Sequence, residues 1–146
     1  MSPAVIAARL AKRFEGLSLT PYLCPAGVAT IGYGSTRYED GTAVTLVDPP
    51  ITQDRARALL LRQICVDYLP AVVRLCPGAD TPERAAALTD FAYNLGVGAL
   101  RSSTLRRKVN AGQWGEVPEQ LGRWVYGGGR RLRGLVRRRQ AEAELV

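Results

Sequence analysis

Apolar residues recur at helical spacing near the start of the chain. Val5, Ile6, Ala8, Leu10 and Phe14 include i, i+3 and i+4 pairs, and Ser2-Pro3 has the form of an N-cap followed by proline at the first helical position. Residues 3–14 are therefore predicted to be a helix, with Gly16 as its stop. From Leu17 to about Val47 the pattern changes. Gly27, Gly32, Gly34 and Gly41 punctuate short runs rich in Thr, Val, Ile and Tyr, which predicts small antiparallel strands and hairpins. Asp48-Pro49-Pro50 closes that region. Thr52 then caps a long helical pattern through Ala56, Leu59, Leu60, Ile64 and Tyr68, which Pro70 is expected to kink or end. Thr81-Pro82-Glu83 opens another helix, with Leu88, Phe91, Ala92 and Leu95 on one face and a stop near Gly96. Shorter helices are predicted at about 103–110, 114–124 and 135–145, with Gly127-Gly128-Gly129 a flexible joint between the last two.

This order predicts an α+β fold in one domain over 1–146: a small antiparallel β region at about 15–50, and a helical lobe at about 52–146 that includes helix 3–14. A cleft between the two parts is the natural place for a site. The chain has 146 residues, 47% of them hydrophobic and 23% charged, which is a globular profile with enough apolar surface for a core.

The net charge is +7, from 20 Lys and Arg against 13 Asp and Glu. Lys12 and Lys108 are the only lysines, and Arg130, Arg131, Arg133, Arg137, Arg138 and Arg139 crowd the C-terminal segment. Such a surface implies anionic partners: nucleic acid, lipid headgroups or a bacterial wall. With no His, the chain lacks His-based triads, His-ligated zinc and the usual neutral-pH base. Cys24, Cys65 and Cys76 are odd in number and form no CxxC, which argues against a disulfide framework or zinc knuckle. The apolar stretch from Pro3 to Ala8 is cut by Arg9 and falls far short of the ~20 residues a spanning helix needs. It is also short for a secretory signal, so a cytoplasmic product is expected, released to an outside target by another factor.

Glu15 falls at the predicted C-terminal end of the first helix. The negative end of the helix dipole disfavours a carboxylate there, and apolar Phe14 and Leu17 are expected to add desolvation. Both effects favour a protonated carboxyl, the state a general acid for glycoside cleavage needs. Taken alone, Glu15 reads equally as a solvated helix-end residue. Thr30-Ile31-Gly32-Tyr33-Gly34 alone reads as a glycine-rich hairpin; no longer dinucleotide-binding signature surrounds it.

The order of the pieces is more informative. Phe14-Glu15-Gly16, then Tyr22, then Gly27-Val28-Ala29-Thr30-Ile31-Gly32-Tyr33-Gly34 resembles the N-terminal motif of phage lysozymes of the T4 type, glycoside hydrolase family 24. Phe91-Ala92-Tyr93-Asn94-Leu95-Gly96 is similar to that family's central helix. Ser103-Thr104-Leu105 with Asn110-Ala111-Gly112 resembles its next helix, and Trp124 to Gly129 with Gly134 to Glu142 resembles its closing segments. The resemblance is patchy over 38–80 and otherwise covers most of the chain. It implies a lysozyme-like fold, bacterial peptidoglycan as substrate, no metal or cofactor, and a monomer. It also implies Glu15 as the acid and Thr30 as a catalytic-site residue. In the family a Glu is followed nine positions later by Asp; here that position is Cys24. The chain therefore either uses sulfur in place of oxygen or has lost part of the mechanism, and a thiolate is a competent base or nucleophile. Tyr33, Asn94, Ser103, Arg138 and Arg139 are the expected substrate contacts, and one of the two arginines is expected to pair with Glu15. Trp114 and Trp124 fit core packing better than sugar stacking.

Four readings compete at this point. A muramidase hydrolyses the β-1,4 bond between N-acetylmuramic acid and N-acetylglucosamine. A lytic transglycosylase needs one acid/base and no activated water, so the missing Asp favours it. A basic wall-binding protein keeps the fold without the catalysis, docking transiently on an anionic wall or membrane surface. A nucleic-acid binder rests on charge alone and has no recognisable motif.

Overall fold

The computed structural model describes residues 1–146. Helix α1 spans Pro3–Phe14, and the Ser2 hydroxyl accepts the Val5 N–H at its start. The helix ends at Phe14, where its spacing predicts: Glu15 is the C-cap and turns extended (φ −88, ψ 135) while its N–H still reaches Ala11 O at 2.9 Å, and Gly16 follows the cap without adopting a positive φ. Strands β1 (Ser18–Leu23) and β2 (Ala29–Gly32) form an antiparallel hairpin with Tyr22 opposite Thr30. The rest of the β region is held by the isolated bridges Ile31–Ser35 and Arg37–Ala43 and by turns rather than by full strands. Asp48 organises one of these turns, accepting the Thr45 N–H at 2.8 Å and the Tyr38 hydroxyl at 2.7 Å.

Helix α2 (Gln53–Gln63) begins at Thr52, whose hydroxyl accepts the Arg55 N–H. Pro70 does not terminate the helical path that follows. Over Ile64–Tyr68 the coil widens into a π-turn, where the Leu69 N–H reaches back five residues to Ile64 O. Pro70 then falls in the first turn of α3 (Leu69–Leu75), where a missing N–H breaks no ladder. Helix α4 (Pro82–Leu95) starts at Thr81 and stops at Gly96 (φ 99). It is followed by α5 (Val97–Arg101), α6 (Thr104–Asn110), a 3₁₀ turn at Trp114–Glu116, and α7 (Val117–Gly122). The three glycines before the last helix are not a flexible joint. Gly128 (φ 58) and Gly129 (φ 77) form a two-residue turn between β3 (Tyr126–Gly127) and β4 (Arg130–Arg131), and both positions need the left-handed conformation such a turn demands. Helix α8 (Arg133–Ala143) closes the chain. No helix is long and apolar enough to cross a membrane.

Two apolar clusters hold these elements. The first joins Ala4, Ala7, Ala8 and Ala11 of α1 to Ile31, Tyr33, Val44, Ile51, Leu59, Leu60 and Ala86. The second joins Val72, Leu88, Phe91, Leu105, Val109, Val117 and Leu121. Helix α4 serves both, and every residue from Ala85 to Ala92 is buried. The alanine face of α1 lets α1 and α4 approach closely, which brings the end of α1 to the middle of the fold. Trp124 meets Phe91 edge-on at 5.4 Å, and Trp114 lies under the Arg84 guanidinium at 4.2 Å.

The α3–α4 connection is latched onto α6 at Gly78. Its N–H donates to Asn110 Oδ1 at 3.3 Å, and a Cβ there would stand 2.5 Å from Val109 O and 3.1 Å from the Asn110 Cα. Both obstacles are backbone, so Gly78→Ala should destabilise the fold by about 1–3 kcal/mol. A thermal melt checks this; an unchanged Tm would show that the latch yields.

Candidate active site

Glu15 leaves the end of α1 with its side chain 27% exposed, accepting a hydrogen bond from Arg138 Nη1 at 2.8 Å. Its immediate setting differs from the apolar one expected from Phe14 and Leu17. Leu17 is exposed, and the group closest to the carboxylate is a cation. Arg138 sits on α8 and is almost fully buried. Its Nε and Nη2 grip Asp90 of α4 at 2.9 and 2.8 Å, so one guanidinium spans two carboxylates. Burial alone would lower the Arg138 pKa. The hydrogen bonds and charge of Asp90, then those of Glu15, outweigh it and hold Arg138 above its ordinary value.

Arg139, the next residue, points elsewhere. Its Nη2 donates to Glu142 Oε2 and to Asn94 Oδ1, both at 2.8 Å. Its Nε stands 2.7 Å from Glu142 Oε1, but the N–H is not aimed at that oxygen, so both atoms lack a directed hydrogen bond. Burial foremost, then the neighbouring Asp90 carboxylate, push the Glu142 carboxyl well up, against the pull of the Arg139 charge. The result is a buried polar cluster of Asp90, Arg138, Arg139 and Glu142 directly behind Glu15.

In front of Glu15 lies the hairpin. Tyr22 of β1 stands opposite Thr30 of β2, and Cys24 follows just past the end of β1; a bulge interrupts the pairing between Ser18 and Tyr22. Cys24 opens the hairpin turn: its carbonyl accepts the Gly27 N–H at 2.8 Å and its N–H donates to Val28 O at 3.0 Å. Its thiol is partly exposed and free, as are those of Cys65 and Cys76. The Val28 N–H foremost, then that of Ala26 and the Thr30 side chain, hold the Cys24 thiol below its ordinary value against partial desolvation. Thr30 is buried and its hydroxyl proton is donated to Val28 O at 2.8 Å, so its hydroxyl oxygen is fixed in place.

Tyr22, Tyr68 and Tyr93 surround Glu15. For each, burial first and the neighbouring Glu15 charge in support push the phenol up; for Tyr68 the Asp67 charge also acts, and for Tyr22 that of Cys24. Tyr22 therefore sits close to both Glu15 and Cys24. Tyr68 packs edge-on against Tyr93 at 5.2 Å and also lines a cavity of about 410 Å³. Thr36, Arg37 and Tyr38 wall that cavity from the β region, and Arg62, Asp67 and Gly96 from the helical side. The Tyr93 hydroxyl donates to Tyr33 O at 2.7 Å, directly beside Gly34 (φ 99), where a Cβ would lie 3.0 Å from it. The close approach of the Tyr93 hydroxyl accounts for the second glycine of the Gly-Tyr-Gly run.

Several expected substrate contacts are used internally instead. The Tyr33 ring is buried in the first cluster. The Ser103 hydroxyl donates to Leu100 O and accepts the Arg106 N–H, capping α6, and it borders a different cavity lined by Arg101, Arg106 and Arg107. Arg138 and Arg139, both expected at the substrate, are buried: Arg139 is held by Glu142 and Asn94, and Arg138, not Arg139, pairs with Glu15. Asn94 is half-buried, its Oδ1 held by Arg139 and its Nδ2 without a protein partner. Asp90, Glu142, Tyr22, Tyr68 and Tyr93 were not among the residues expected from sequence.

A carboxyl at a helix end, facing a small hairpin across a cleft and backed by a central buried helix, is the arrangement of a lysozyme-like α+β fold. A phage lysozyme family model matches residues 12–142, and the chain belongs to that family. It is 35% identical over 134 residues to the SAR-endolysin of Bacteriophage PS119, covering 90% of this chain and 75% of that protein. The structure is similar to the endolysin from Escherichia coli O157:H7 phage FAHEc1, with a TM-score of 0.83 and 31% identity over 99% of this chain and 92% of that one. It is also similar to the muramidase domain of SpmX from Asticaccaulis excentricus, with a TM-score of 0.79 and 30% identity over 95% and 92% of the two chains.

Removing the cation from the buried pair leaves Asp90 as an uncompensated charge. Arg138→Met should therefore destabilise the protein by about 3–5 kcal/mol. Urea unfolding measures this, and a loss below about 1 kcal/mol would show that the ion pair is not what holds α8 to α4.

Proposed function

We propose that the protein is a muramidase of glycoside hydrolase family 24, of the T4 type. It hydrolyses the β-1,4 bond between N-acetylmuramic acid and N-acetylglucosamine in peptidoglycan. The observation that carries this reading is Glu15 at the end of α1, held by Arg138 and bordered by Tyr22 and Tyr68, where Tyr68 also lines the polar cavity and Tyr22 stands opposite Thr30 and close to Cys24 on the hairpin. Glu15 donates its proton to the glycosidic oxygen as the C–O bond breaks. The carboxylate that forms is stabilised by the Arg138 guanidinium already in contact with it. A water on the opposite face of the sugar is activated by the Cys24 thiolate and oriented by the fixed Thr30 oxygen, and its oxygen bonds to the anomeric carbon. Asn94 supplies an amide donor to the saccharide.

A second reading, lytic transglycosylase, is favoured by one observation: no carboxylate of the β region is free to serve as a base. Glu39 pairs with Arg55, and Asp40 and Asp48 are each tied into a turn. In this reading the sugar's own hydroxyl replaces water and an anhydro product leaves.

Glu15→Gln should lower turnover by about 10²–10⁴-fold with an unchanged melting curve, because an amide donates no proton to a leaving oxygen. Retained activity would remove Glu15 from the mechanism.

Cys24 separates the two chemistries. An acid must be protonated and a base ionised in the same molecule, and a thiol titrates well above a carboxyl. Only a small fraction of the wild-type protein therefore holds both correct states. Hydrolysis should therefore run on a low plateau that falls once pH passes the thiol's titration. Cys24→Asp should raise that plateau and move its alkaline fall to lower pH, and Cys24→Ala should remove hydrolysis. Reducing-end and anhydro-product analysis checks this. An alanine variant with full activity and anhydro products would establish the transglycosylase route.

A further inference from the structure

Arg138 raises a question the acid role of Glu15 leaves open. A lone guanidinium 2.8 Å from Glu15 would favour the carboxylate and work against a general acid. The chain resolves this conflict within α4. Asp90 is completely buried, the one charge in a run whose only other polar side chain, Thr89, is satisfied by Ala85 O, and two of the three nitrogens of Arg138 are directed to it. The geometry fixes the guanidinium plane, leaving Nη1 as the only nitrogen aimed at Glu15. It also places a full negative charge on the far side of the cation.

We propose that Asp90 is a positioning residue for the acid: it orients Arg138 through a two-point grip and offsets its charge, so that Glu15 is held in place without being locked as a carboxylate. The inference rests on Glu15 being the acid. When Glu15 gives up its proton, Arg138 is already oriented toward the new charge and nothing has to reorganise.

The groups facing Glu15 are Arg138 of α8, Asp90 and Tyr93 of α4, Tyr68 of the π-turn, and Tyr22 of β1 with Cys24 beside it. Arg139 and Glu142 stand behind Asp90. Of these, Arg138 and Asp90 are the pair whose opposing charges bear on Glu15 from its buried side. Removing the negative member alone leaves the cation acting unopposed, so Glu15 then ionises at lower pH.

The experiment is a pH–activity profile for the wild type, Asp90→Asn, Asp90→Glu and the double variant Asp90→Asn/Arg138→Gln, with Glu15→Gln as control. Because a thiolate base that titrates above the acid sets the alkaline limb of turnover itself, the Glu15 limb is read in the same variants from the pH titration of the Glu15 side-chain carboxyl by 13C NMR, and it reports loss of the acid's proton. In Asp90→Asn it should move to lower pH by about 1–3 units, restoring turnover at acid pH. Asp90→Glu should keep the limb near the wild-type position even if turnover falls. The double variant, with both charges gone, should bring it back toward wild type. A residue that only holds the fold together would lower activity at every pH alike. If Glu15→Gln is inactive and Asp90→Asn keeps the wild-type limb, the inference is overturned while the acid assignment stands. If Glu15→Gln is active, the acid assignment itself falls. Should Asp90→Asn fail to fold, the other two variants decide: a limb displaced in Asp90→Glu, or left far from wild type in the double variant, overturns the proposal.

Discussion

A single buried guanidinium connects the parts of this protein that do the chemistry. Arg138 reaches Asp90 in the middle of α4 and Glu15 at the end of α1, 123 residues away in sequence. Burying such a group in an apolar core costs several kcal/mol unless its charge is matched and its donors are used. Here Nε, Nη1 and Nη2 all have carboxylate partners, and the ring of Phe14 lies 5.6 Å from the guanidinium carbon. The desolvation cost makes the arrangement specific. A shift of α8 along α4 would strand Asp90 and Arg138 as unpaired charges, so the register of three helices is set by this contact. The alanine face of α1 completes the constraint, since larger side chains would push α1 away from α4 and carry Glu15 out of reach.

The hairpin side of the cleft is built on different physics. Its geometry comes from local hydrogen bonds: the turn opened by Cys24, the Thr30 hydroxyl on Val28 O, and the pairing of Tyr22 with Thr30. Much of this hairpin is exposed, including Leu19, Leu23 and Val28. Strand pairing sets Tyr22 opposite Thr30, the turn that follows β1 places Cys24 beside them, and no buried charge depends on these residues. The two sides meet through the packing of Ile31, Tyr33 and Val44 in the first apolar cluster and through the Tyr93 hydroxyl, which donates to Tyr33 O from the central helix.

These two kinds of order explain what was legible in the sequence. Local signals read well. Ser2, Thr52 and Thr81 each cap the helix they precede, and the glycine pattern of 27–34 marked the hairpin, whereas Ser103, expected at the substrate, also turns out to be a cap. Glu15, Cys24 and Thr30 could be singled out because they lie within one short motif. The buried cluster is made of residues far apart in sequence. Periodicity could not tell Arg138 from Arg139, because adjacent helical residues point about 100° apart and only the packing of α8 decides which faces Glu15. Asp90 did carry a signal. It is the one carboxylate in a helix buried all round from Ala85 to Ala92, and a charge in such a place needs a partner. The Gly128-Gly129 turn was misread as flexible because glycine supplies both disorder and left-handed turns, and strand pairing at Tyr126 and Arg131 is not visible from composition. The failure of Pro70 to end its helix has a similar cause, since the π-turn that absorbs it leaves no pattern in the sequence.

The same division bears on the family departure at position 24. The acid's surroundings are shared among α1, α4 and α8, so a change at Glu15, Asp90 or Arg138 alters the charge balance of a dry cluster and threatens the fold as well as the chemistry. Position 24 is the first residue of a turn, partly exposed, and its backbone bonds do not involve its side chain. A thiol in place of a carboxylate there changes one group's acidity and size without disturbing any buried pair. Exchange of the group opposite the acid is therefore a local event, while exchange of the acid is not. The backbone N–H of Val28, which holds the Cys24 thiol below its ordinary value, is part of the hairpin itself and would serve a carboxylate equally well. The hairpin thus presents a small anion-stabilising corner whose occupant can vary, set against an acid whose position is fixed by three helices.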